Sequence, residues 1–377
     1  MVRFTYSFYD QIAEIFLAEL VLKEPKWIEA VNGSGTFEAK VVIPEDKDQR
    51  DLIRSAVRQN NSIIVTADNG VQPWSGFIVK RKWDPATNEL TITAAEWRTW
   101  LYRFIVAPFD NDPVGNDWEW EGTEQLEIAA WLIEYQVGEF YGSGVPFIAV
   151  EPYTPSGIER DLFVSGAKFR TLGSWMDSLA NRDRGFEWDI AAQDEGAGPQ
   201  LVFRPYYPQR GSVVQGLSFS YGTTGNILTY EPPEESSEEY VTRQWALGDG
   251  PNSEMQPYAK DEDPALDNDA AMRFDKVTSW QGVSDDLVLA SHARAERRFY
   301  SKALDMLQFT VSMNSPHAYS YAVGDRCALE VHDRWLDLSY EKVRIIQRDI
   351  FPDQQVMKLT VDLSDDELPE VDDEGSV

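Results

Sequence analysis

Two stretches decide how this chain is read: IVKRKWDP at Ile78–Pro85 and IIQRDIFP at Ile345–Pro352. Each sets two β-branched residues before a polar pair containing Arg. A bulky apolar residue follows, Trp83 or Ile350, with Pro two positions later. Both sit in hairpin patterns: FIVKRKWDPATNELTIT and VRIIQRDIFPDQQVMKLTV alternate apolar positions into a Pro-containing turn and out again. The return strands begin about five residues after each Pro, at Leu90 and Met357. Upstream of each lies another strand pattern, SIIVTA and RCALEVH, and both connections carry a Trp. The spacing predicts one structural unit used twice, with the two hairpins as equivalent arms.

Outward from these hairpins the chain reads as mostly β. It has 377 residues, enough for two or three domains, with 12% aromatics including thirteen Trp. Strand patterns IFLAELVL, WIEAV and TFEAKVVI are divided by EP and NGSG turns. DKDQRDLIRSAV (46–57) is an amphipathic helix with acids in its first turn, and EWRTWLYRF (96–104) a short closing helix. Residues 108–122 read as a polar loop. Thr123 is the expected cap of the helix EQLEIAAWLIEYQ, and RTLGSWMDSLANR (170–182) is a second helix. GFEWDIAA and QLVFRPYY form a hairpin. NILTYE and YVTRQWAL flank the acidic run PPEESSEE, and residues 248–271 read as a long exposed loop. Ser284 is the expected cap of DDLVLASHARAERRFY, before the closing strands MLQFTVSM, DRCALEVH, EKVRIIQRDI and VMKLTVDL. The expected division is 1–107, a first β-barrel; 108–210, an α+β middle; 211–302, a β and loop region with a connecting helix; 303–363, a second β-barrel; and 364–377, an acidic tail too charged and apolar-poor to fold.

The chemistry the sequence excludes is as informative. Net charge is 34 − 64 = −30, the wrong sign for neutralising phosphates. No apolar run is long enough to span a bilayer, and the N-terminus lacks the pattern of a secretory signal. Asn32-Gly33-Ser34 and Asn60-Asn61-Ser62 are therefore chance matches to the glycosylation triplet. Cys327, the one cysteine, alternates with apolar residues as a small core residue. His292, His317 and His332 form no zinc motif. The GSG at Gly33 and Gly35 lacks the third glycine of a dinucleotide fingerprint. Asp110 with Asp112, Glu119 with Glu121, and Asp267 with Asp269 are conceivable carboxylate pairs, but nothing places them across a cleft. Asp267-Asn268-Asp269 also lacks the Gly and distal Glu of a calcium loop. Trp118 and Trp120 are the sugar-stacking candidates. Trp74, Trp83, Trp97 and Trp100 could also stack on sugars, but at strand and helix spacing inside a hairpin unit they read as core or interface anchors. No catalytic, cofactor or metal residue is assigned.

Several segments taken in order carry a resemblance. NGSGTFEAKVVIPED comes first, then IIVTADNGVQPWSGFIVKRKW, NELTITAAEWRTWLYRFI, FSYGTTGNILTYE and YAVGDRCALEV with the closing hairpin. Over most of residues 10–363 the chain resembles the minor tail proteins of long-tailed phages of actinobacteria, in the tail-hub (Tal-like, baseplate-hub) class. The resemblance implies two similar β-barrels per chain and a homotrimeric ring of pseudo-sixfold symmetry. That ring would join a sixfold tail tube to a threefold tip, close the tube and let DNA pass at infection. It implies a virion structural protein at the tail tip. Expected partners are a distal tail protein, a tape measure protein and receptor-binding proteins, with no cofactor, no membrane insertion and no C-terminal lytic domain. A carbohydrate-binding tip adhesin using Trp118 and Trp120 is the alternative, and a wall-degrading hydrolase the third reading.

Overall fold

A computed structural model describes residues 1–106, 117–137, 147–194, 198–232, 240–249, 256–264, 266, 272–280, 283–300, 306–314 and 316–363. Asp110, Asp112, Asp267, Asp269 and the 364–377 tail lie outside the described residues.

The fold is α+β and mostly β. The first part holds β1 (Phe4–Asp10), β2 (Ile15–Glu19), β3 (Lys23–Ala30), β4 (Thr36–Val42), α1 (Lys47–Ala56), β5 (Ser62–Ala67), β6 (Trp74–Asp84), β7 (Glu89–Glu96) and α2 (Arg98–Leu101). Alternation decides the faces: Phe37, Ala39 and Val41 of β4 are buried while Thr36, Glu38 and Val42 are exposed. In β5 both faces are covered, and the run carries three successive β-branched apolar residues, Ile63, Ile64 and Val65. Ile63 and Val65 enter one core and Ile64 the other. Helix α1 starts where Asp46 Oδ1 accepts a hydrogen bond from the Gln49 amide, 2.9 Å away.

The middle comprises β8 (Asp117–Glu124), α3 (Gln125–Val137), β9 (Ile148–Val150), β10 (Glu159–Ser165), α4 (Leu172–Ala180), β11 (Glu187–Asp194) and β12 (Pro199–Tyr206). The expected hairpin of β11 and β12 is present and adds β9 in parallel. The expected polar loop ends early, because DWEWEGTE is a strand paired with β10. That strand runs through Thr123, so Glu124 caps α3 instead: its carboxylate accepts from the Glu127 amide at 2.9 Å.

The last part holds β13 (Val213–Tyr221), β14 (Ile227–Glu231), β15 (Arg243–Leu247), β16 (Tyr258–Glu262), β17 (Asp275–Ser279), α5 (Asp286–Tyr300), β18 (Met306–Ser312), β19 (Arg326–His332), β20 (Asp337–Phe351) and β21 (Val356–Asp362). Asp285, not Ser284, caps α5, accepting from the amides of Leu287 and Val288. The expected loop of 248–271 contains β16, which pairs with β15 beneath α5.

The two quoted stretches do form matching hairpins. Ile78 faces Ala94, and Ile345 faces Val361. In both, the next residue bulges, and the ladder resumes at Lys80–Thr93 and Gln347–Thr360. Trp83 faces Leu90 and Ile350 faces Met357. Each turn begins with Pro and ends on a left-handed residue, Asn88 (φ 53°) or Gln355 (φ 56°). The match extends across both sheets. One half runs β3-β4-β7-β6-β5-β1 and the other β14-β18-β21-β20-β19-β13, and corresponding strands come in the same chain order. They differ where β1 meets β5 antiparallel while β13 meets β19 parallel. The second half also takes the β15–α5 unit as an insert, and the first carries β2 as an extra edge. Pairing of β20 with β3 fuses both halves into one sheet over a shared core. Among the described residues the ladders do not close either half into a barrel.

Candidate assembly surface

The joint between the halves is made by one strand used twice. The outer edge of β20 pairs with β19 from Asp337 to Arg344, then with β3 from Gln347 to Ile350. Arg348 lies opposite Glu29, and both are buried. Its guanidinium donates to the Glu29 carboxylate and to the carbonyls of Ala318 (2.9 Å) and Tyr321 (2.7 Å). Trp27 Nε1 donates to the other carboxylate oxygen at 3.0 Å. Burial works against the Arg348 charge, and the facing Glu29 carboxylate more than restores it. Satisfying every donor is what makes a buried ion pair tolerable.

Two more arginines fasten the middle to this frame. Arg344 donates to Glu187 on β11 at 2.5 Å and to the Arg210 carbonyl at 3.1 Å. Arg98 reaches Asp177 on α4 (2.8 Å) and the Trp188 carbonyl (3.0 Å), with its guanidinium 3.9 Å from the Trp188 ring centre. Gly211 and Gly324 cross beside Arg344. A Cβ on Gly324 would fall 2.5 Å from the Arg210 carbonyl oxygen, at a φ of +97°.

Reactive groups are held apart from one another. Cys327 is buried in the sheet, and burial pushes its thiol up to about 12. His292 stacks on Trp280 at 3.8 Å, and burial drops it to about 3. His332 pairs with Asp337 at a hairpin end, and His317 occupies a turn. No group of three metal-ligating side chains occurs among the described residues. Glu119 and Glu121 are exposed and, with Asp161, Asp285 and Trp120, border a cleft of about 510 Å³ between β10, α4 and the start of α5. Of the two sugar-stacking candidates, one is packed inside, against the expectation. Trp118 is 7% exposed, edge-on to Trp131 and Tyr135, and only Trp120 reaches the cleft. Trp74 and Trp97 are core, as expected, and Trp83 is 46% exposed.

The remaining distinctive surface is an edge. β6 pairs with β5 as far as Phe77, and backbone bonds to Asn60 and Asn61 carry that contact to Ile78. Beyond it, Lys80–Asp84 pair only with β7, and all five side chains are exposed. Among the described residues strand β14 likewise has a ladder partner on one side only, β18.

This fold recurs in solved structures. Three solved structures share it along nearly their whole length. The 43 kDa tail protein of prophage MuSo2 from Shewanella oneidensis superposes with a TM-score of 0.59 at 11% identity, covering 95% of this chain and 98% of that one. The tail protein from Neisseria meningitidis MC58 gives 0.57 at 12% identity, with 96% and 97% covered. Prophage tail protein gp18 from Listeria monocytogenes EGD-e gives 0.54 at 11%, with 96% and 95% covered. The chain thus has a phage tail-protein fold, in keeping with the resemblance read from its segments. No protein-family profile and no curated relative matches it.

Proposed function

We propose that the chain is a structural tail-hub protein, three copies of which form the ring at the tail tip. The observation that carries this reading is the internal duplication: two half-sheets of one strand order in a chain with a tail-protein fold. Three chains of two halves supply six similar units to a sixfold tube while keeping threefold symmetry towards the tip. In this reading the half-sheets are the tube-like modules, and the middle and the β15–α5 insert face outward to neighbouring tip proteins. A distal tail protein, a tape measure protein and receptor-binding proteins are the proposed partners. The protein acts by closing the tube and releasing DNA at infection, with no catalytic residue.

Mass measurement and negative-stain imaging of the purified protein test the reading. Threefold rings at three times 42.9 kDa are expected. A monomer persisting at high concentration overturns the ring. The glycan reading retains Trp120 alone, since Trp118 is packed inside. Glycan-array binding lost on Trp120→Ala would establish it.

A further inference from the structure

One surface in the first half is bare where its counterpart in the second half is covered. In the matching hairpins Arg81 takes the place of Arg348, and Trp83 that of Ile350. In the second half β3 lies along the edge, with Glu29 opposite Arg348 and Trp27 opposite Ile350. In the first half nothing fills that place among the described residues. Lys80, Arg81 and Lys82 are exposed, and none has an ion-pair partner among the described residues. Helix α1 borders the edge and leaves a hollow of about 430 Å³, lined by Ile43, Ile53, Val57, Arg81, Trp83 and Leu90. A bare basic strand edge beside an apolar hollow is a docking surface.

The covered edge shows what an occupant has to offer. Its key residues lie in KWIEA (26–30): Trp27 is buried, its indole donates to Glu29, and Glu29 neutralises Arg348. The same order of a base, a Trp, an aliphatic residue, an acid and an apolar residue recurs at RWLDL (334–338). That segment forms the tip of the β19–β20 hairpin. The Asp333 carboxylate accepts from the Trp335 and Leu336 amides and holds the tip as a turn. Trp335 projects from it, 90% exposed. Asp337, where β20 begins, is also exposed and meets His332 at the surface. From Asp337 to Val343, β20 has β19 on one side and no ladder partner on the other among the described residues. An indole on a fixed turn, with a carboxylate two residues on, is the kind of anchor that seats in an apolar hollow rimmed by cations. Every residue lining the hollow belongs to the first half, and the tip belongs to the second.

We infer that the open edge Lys80–Trp83 seats the Arg334–Leu338 tip of a second copy of this chain, with Trp335 in the hollow beside Trp83 and Asp337 on Arg81. The inference rests on the ring proposed above and adds the contact that closes it. The contact is head-to-tail, with different surfaces on its two sides, so it propagates around a ring.

Substitution in the full-length protein tests it, with self-association read by sedimentation equilibrium. Trp335→Ala, Arg81→Glu and Asp337→Arg should each weaken trimer formation about tenfold or more, with circular dichroism unchanged. The combined Arg81→Glu and Asp337→Arg variant should recover most of the loss of either reversal. A Trp335→Ala protein that trimerises as the wild type does, or a combined variant as weak as the single reversals, overturns this contact while leaving the ring standing. A wild-type protein that stays monomeric overturns the contact and the ring together.

Discussion

At the scale of single residues, the frame depends on a few side chains whose roles are set by where the backbone brings them. Glycine 324 is one, within the segment YAVGDRCALEV. Its positive φ and its approach to the Arg210 carbonyl leave no place for a methyl group. Gly324→Ala should cost about 2–4 kcal/mol, from left-handed strain plus overpacking, and a urea melt would measure it. An effect below 1 kcal/mol would mean that the Gly211–Gly324 crossing relaxes freely. Glu96 is another. Its carboxylate accepts from the Gly35 amide at 2.8 Å. Burial, with Asp189 and Glu29 nearby, lifts it to about 8 against the opposing Gly35 bond and Arg210. The folded protein therefore keeps that proton up to about pH 8, whereas the unfolded chain loses it near 4.5. Unfolding within that window releases a proton, so stability falls as pH rises, by at most about 1.4 kcal/mol per pH unit from this group. Glu96→Gln keeps an acceptor for Gly35 and removes the titration. Thermal melts from pH 5 to 8 should show a shallower decline for the variant, and parallel curves would refute the assignment. None of this was legible in the sequence. Glu96 reads there as the start of a helix, and its burial comes from the middle domain folding across it.

At the scale of elements, what could be read depended on whether the signal was local. Alternation made β4, β18 and β21 plain, and a short β-branched apolar run bounded by turn residues did the same for β5. DWEWEGTE alternates just as regularly, but the turn-rich PFDNDPVGN before it suggested a loop, and β8 was missed. Both helix caps were misplaced by one position for a common reason. Thr123 and Ser284 are good caps by type, but an acid follows each, and the acid's carboxylate reaches the free amides better. At α1 the helix was legible over 46–57, but its first residue, Asp46, is the cap and not part of the first turn. Asp46→Ala should cost about 1 kcal/mol. Hydrogen exchange should show the loss confined to the first turn of α1, and faster exchange spread across the half-sheet would mean that α1 nucleates the half rather than covering it. The β3–β20 joint gave no warning at all. Its key pair, Glu29 and Arg348, is separated by 319 residues, and an Arg and a Glu within strands read as surface charge until the partner strand is known.

At the scale of the whole molecule, the net charge of −30 acquires a physical use in the proposed ring. A polyanion crossing a narrow channel is slowed by every cation that can pair with a phosphate, since each contact formed must be broken again. A wall of like charge has no such contacts, and repulsion keeps the duplex centred. The buried arginines fit this division: Arg98, Arg344 and Arg348 are each committed to a carboxylate inside the protein and unavailable to phosphates. Fluorescence anisotropy of labelled duplex DNA against the assembled trimer should therefore stay flat to tens of micromolar protein at about 50 mM salt, where phosphate contacts are strongest. Salt-sensitive binding by the wild-type trimer would place cations along the DNA path, and the acidic-channel account would then have to be abandoned.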